Sequence, residues 1–170
     1  MSAVFEGVLV PRTVAGTSGA NLKKYCESQM GEIRIGLAVL DEEVSAIIRV
    51  GDRNAPFSDE FDELGSALSS TFGRALVVRY DSRIGHRSSS YCEGGNELCR
   101  FGEEDEVYSP LDDDGAITGV RVSFDELDEE EEYETIENAI ELGLRRLGAG
   151  RWEDLLFLIY NQEALLVADC

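Results

Sequence analysis

Residues 74–101 read RALVVRYDSRIGHRSSSYCEGGNELCRF, and the order of residue types along them decides the fold class. Arg74 to Ser82 is β-prone through Leu76-Val77-Val78 and Tyr80. Gly85 bends the chain before a second β-prone run from His86 to Glu93, and Gly94-Gly95-Asn96 turns it again into Glu97 to Phe101. Further on, Val107 to Leu111 and Ala116 to Phe124 flank Asp112-Asp113-Asp114-Gly115, whose Asp-Gly end suits a hairpin turn needing positive φ. The stretch 74–124 therefore predicts an antiparallel meander.

On the N-terminal side, Ala3 to Val10 predicts a first strand ended by Pro11. Leu22, Tyr25, Cys26, Gln29 and Met30 fall at helical spacing behind a Ser18 or Asn21 cap, which predicts a short helix near 20–30. Ile33, Ile35, Leu37 and Val39 alternate with polar residues as a half-buried strand does, and Val44 to Val50 returns after the Asp41-Glu42-Glu43 turn. Phe61, Leu64, Leu68 and Phe72 recur at three and four behind Asp59 and Glu60, giving a helix over 59–72 closed by Gly73.

On the C-terminal side, Tyr133, Ile136, Ile140, Leu144 and Leu147 share one helical face, with acids before them, Arg145 and Arg146 at the end and Gly148 as a stop. That predicts a helix over 132–147. The tail from Arg151 to Cys170 is apolar at Leu155 to Tyr160 and Leu165 to Val167, and periodicity leaves helix and hairpin both open. The whole reads as one α+β domain over 1–170, mainly antiparallel sheet with about three helices. At 170 residues, folding buries roughly 70% of the surface the unfolded chain exposes, so no covalent staple is needed.

Charge is distributed unevenly over this frame. From Glu103 to Glu141 there are seventeen acids against Arg121 alone, a local net of −16 out of −20, while residues 1–100 hold fourteen acids and eleven Lys or Arg. A salt-adapted surface would spread its acids evenly, so confinement of the charge points to a partner or to internal pairing. The densest part is the low-complexity segment 125–134, eight acids in ten residues leading into the last predicted helix. A helix dipole accommodates roughly half an elementary charge. Eight carboxylates exceed that and repel one another unless cations offset them. Arg79, Arg83 and Arg87, four apart, would supply an internal offset on one face of a continuous strand.

Several chemistries lack their motifs. Aligning Gly115 with the invariant glycine of a calcium loop puts Pro110 and Arg121 where carboxylates are required, so no EF-hand is present. No G-x-x-x-x-G-K-[ST], G-x-G-x-x-G or G-x-S-x-G occurs, although Gly16 to Gly19 ahead of Lys23-Lys24 has the outline of a phosphate loop. His86, the sole histidine, with Cys92 and Cys99 offers three zinc ligands at an unusual spacing. Asp81, His86 and Ser88 to Ser90 or Cys92 carry the residue types of nucleophilic catalysis. Cys92 and Cys99 are placed to face each other across the Gly94-Gly95-Asn96 turn, as thiols or as a disulfide.

The N-terminus has no basic start followed by an apolar run, and no stretch of 18 apolar residues occurs, so a soluble cytoplasmic protein without membrane contact is expected. At a net charge of −20, phosphate backbones are repelled and nucleic acid is not expected as a ligand. The expectation is an acidic interaction domain without cofactor, an inhibitor or immunity-type protein or a nucleic-acid mimic, docking a basic protein. Its binding face comprises Asp112, Asp113, Asp114, Asp125, Glu126, Asp128, Glu129, Glu130, Glu131 and Glu132. The alternatives are a hydrolase or metal-dependent enzyme built on carboxylates and His86, and a structural domain.

Overall fold

A computed structural model of the chain describes residues 3–11, 35–40, 44–49, 57, 59–101, 128–148 and 151–161. Within them lies one antiparallel sheet whose strands are β1 (Val4–Pro11), β2 (Ile35–Leu40), β3 (Val44–Arg49), β4 (Arg74–Asp81), β5 (His86–Glu93) and β6 (Asn96–Phe101). Their order across the sheet is β2-β3-β1-β4-β5-β6. Three helices accompany it: α1 (Glu60–Phe72), α2 (Glu129–Arg146) and α3 (Trp152–Tyr160). The α+β class is that expected from sequence, and β4, β5 and β6 form the predicted meander. The helix expected near 20–30 and the hairpin over 107–124 lie outside the described residues.

The meander is set by its turns. Asp81 pairs with His86 around the four-residue turn 82–85, and Glu93 pairs with Asn96 around Gly94 and Gly95. Both of those glycines have positive φ, 57° and 90°, the geometry that matches the twist of a two-residue hairpin.

Helices cover both faces of the sheet. On one face Phe5, Leu9, Leu76, Val78, Tyr80, Tyr91 and Cys99 pack with Ile136, Ile140 and Leu144 of α2 and with Trp152, Leu155, Leu158 and Ile159 of α3. On the other, α1 presents buried Phe61, Leu64, Leu68 and Phe72, and its Gly65 lies directly on Val77. With both sides covered, every residue of β4 after Arg74 is buried and the polar alternation of a one-sided strand is lost. Among the central residues facing α1 are two charged ones, Glu6 and Arg79, at 3% and 6% exposure.

Helix α2 begins three residues earlier than its apolar pattern suggests. The Asp128 carboxylate accepts from the Glu131 amide at 2.9 Å, and the Glu131 carboxylate accepts from the Asp128 amide at 3.2 Å. This reciprocal cap satisfies two end groups and extends the helix into the acid run. At the other end Arg146 Nε donates to Glu93 Oε1 at 2.8 Å and to Tyr91 Oη at 3.0 Å, while Arg74 Nη1 donates to the Arg146 carbonyl at 2.6 Å. Those bonds fasten the end of α2 to β4 and β5.

The tail resolves as helix over Trp152–Tyr160. Trp152, Leu155, Leu158 and Ile159 fall on one buried stripe, and the amide of Arg151 donates to Asp154 Oδ2 at 3.2 Å across the first turn. The apolar run that periodicity left open is thus a helix packed on α2.

Candidate functional site

The acid run reaches the described structure at the start of α2. Asp128, Glu130, Tyr133, Glu134 and Glu137 line an open groove there. Its wall is held by Tyr133, whose hydroxyl packs on the Cα of Gly85 in the β4–β5 turn. The Arg87 guanidinium sits 4.3 Å from the centre of the Tyr133 ring and 5.2 Å from that of Tyr80. Arg87 Nε lies 2.8 Å from Glu137 Oε1, an ion pair by distance that lacks the alignment of a hydrogen bond. Tyr80 in turn shares a hydroxyl contact with Tyr160 at 3.1 Å, and burial, helped by that contact, pushes its phenol up to about 12. The aromatic and cationic groups therefore brace the groove from beneath.

The three arginines expected to neutralise the acid run do not share a face. The chain reverses at 82–85, so Arg79 stands opposite Ser88 while Arg87 stands opposite Tyr80, and adjacent positions on a strand point to opposite sides. Arg79 Nε donates to Glu6 Oε2 at 2.9 Å and its Nη1 to Asp62 Oδ1 at 3.1 Å on the α1 side. Arg83 grips Asp81 through Nε and Nη2 at 2.9 and 2.8 Å. Among the described residues, Arg87 meets the acid run through Glu137. The spacing of four misled because it assumed one uninterrupted strand.

The described carboxylates of the run divide into those with a structural role and those without one. Glu137 pairs with Arg87, and Glu141 lies 3.5 Å from Arg145. Asp128 and Glu131 cap α2. Glu130 and Glu134, both exposed, have no cationic partner among the described residues. Glu129 and Glu132 belong to the first turn of α2. Asp112, Asp113, Asp114, Asp125 and Glu126 lie outside the described residues, as does the Gly16–Lys24 loop.

A second polar assembly lies under α1. Ser88 Oγ is 2.9 Å from His86 Nε2, within reach for proton transfer between a hydroxyl and a base. The Phe57 ring lies 5.2 Å from the imidazole. Two observations weigh against the pair as a nucleophile and its base. Ser88 is 2% exposed, and the Asp81 carboxylate, which would orient the imidazole, is taken by Arg83 side-chain and backbone bonds that hold it below the usual carboxylate range. Further along, Ser90 donates to Glu97 at 2.8 Å, and Arg100 bonds both oxygens of the same carboxylate at 2.9 and 2.7 Å. These bonds satisfy one another, so the assembly reads as structure.

The cysteines do not face each other. A bulge between Tyr91 and Cys92 places Cys99 opposite Tyr91 and Cys92 opposite Glu97. Cys99 consequently faces α2, Cys92 lies near Gly65 of α1, and both are free. Burial raises both thiols, Cys99 to about 11, which keeps them protonated near neutral pH. Among the described residues no group of three His, Cys, Asp or Glu side chains converges as a metal site.

The residues that the sequence left unconnected include Glu6 and Asp62, both partners of Arg79. Glu6 was the visible clue, a lone acid inside the apolar run of β1.

No protein-family model matches the chain, and no curated protein or solved structure is significantly similar to it. Among the described residues no helix is long and apolar enough to cross a membrane.

Proposed function

We propose that the protein is an acidic interaction domain that docks a cationic protein surface through the start of α2, as an inhibitor or immunity-type protein does. The reading is carried by one observation: Glu130 and Glu134 are exposed on a capped, anchored helix and have no cation among the described residues, whereas Glu137 and Glu141 have theirs. A sequence under pressure only for stability has little use for that surplus, since neighbouring carboxylates repel. Tyr133 in the groove, and Ile84 beside Gly85 at 73% exposure, add apolar surface to the charged rim, the composition that protein interfaces favour. Acidic residues outside the described structure would enlarge the same field and speed association with a basic partner.

The test is capture of the partner from the native host on immobilised protein, at about 0.05 M and about 0.5 M salt, where screening lengths differ roughly threefold. The unmodified chain should retain a basic protein at low salt and lose most of it at high salt. Glu130→Lys with Glu134→Lys should abolish retention without changing the melting temperature. Equal retention by that variant would overturn the assignment of the surface, and retention insensitive to salt would overturn its electrostatic basis.

A further inference from the structure

We draw no further inference here: the strongest candidate, the groove at the start of α2 lined by Asp128, Glu130, Tyr133, Glu134 and Glu137, belongs to the surface already described, and nothing else among the described residues points to its ligand.

Discussion

Replacing Arg79 with Met tests the account of the α1 side of the sheet. Arg79 is 6% exposed and Glu6 3%, and the Met chain fills most of the arginine stem's volume without its charge. Asp62, whose side chain is 26% exposed, can turn to water when the guanidinium is lost. Glu6 cannot, so the cost is chiefly that of a buried carboxylate losing the guanidinium 2.9 Å from it. Removing one partner of a buried pair costs about 3–5 kcal/mol, against a total stability of about 5–15 kcal/mol for a domain. At about 2–4 °C per kcal/mol for a chain of this size, Tm should fall by roughly 6–20 °C. Adding Glu6→Leu removes the buried carboxylate as well, and the double variant should recover most of the loss. Urea titration followed by the fluorescence of Trp152, the only tryptophan and 9% exposed in the core, reads all three proteins. A loss below about 1 kcal/mol for Arg79→Met, or a double variant no better than the single, would refute the reasoning.

Gly85→Ala should destabilise by more than about 1 kcal/mol, because φ is +68° and the new methyl meets the Tyr133 hydroxyl; adding Tyr133→Phe should return part of the loss in a urea titration. The Arg146 bond, opposed by partial burial and aided by Tyr91, holds the Glu93 carboxyl below its ordinary value of 4.5, so the stability it contributes is present above that pH and lost as pH falls through the lower folded value. Tm measured from pH 6 downward should accordingly fall less steeply in Glu93→Gln than in the unmodified chain, and parallel curves would exclude this contribution. In a Cys26→Ser, Cys170→Ser background, Cys92 and Cys99 should react with a thiol reagent at pH 8 at least tenfold more slowly in the native state than in urea, since burial keeps them protonated and covered. Comparable rates would show that one of the two is accessible.

The elements legible in the sequence are those whose local chemistry needs no distant partner. Glycines at 85, 94 and 95 punctuate β4, β5 and β6, and the stripe from Tyr133 to Leu147 defines α2, so these elements read directly from the chain. The start of α2 did not, because the cap is Asp128 with Glu131 inside a run that is eight-tenths acidic, and a capping pattern does not stand out there. The tail was ambiguous for the converse reason: a short apolar run fits helix or strand until its stripe meets Ile140 and Leu144. Pairings across the sheet were out of reach. Glu6 and Arg79 are separated by 73 residues and meet only through the register of β1 with β4. The bulge at Tyr91, one extra residue, moved Cys99 off the thiol it seemed to face. Of the expected binding face, Asp128, Glu130 and Glu131 can be placed, two of them as caps, and Glu130 remains as a residue with no local task beyond its charge.

Strand β5 holds α2 at two separated points, Arg87 to Glu137 and Glu93 to Arg146. The anchored residues are nine apart on a helix, a span of about 13 Å, so the helix can neither pivot about one contact nor roll without breaking the other. In the proposed docking, a surface mounted in this way meets its partner already oriented. The ordering penalty that flexible acidic tails incur on binding, about 0.5–1.5 kcal/mol for each immobilised side chain, is reduced here to the few carboxylates at the rim. In that docking, loosening either mount should show first as faster dissociation, with the electrostatically steered rate of encounter changing less.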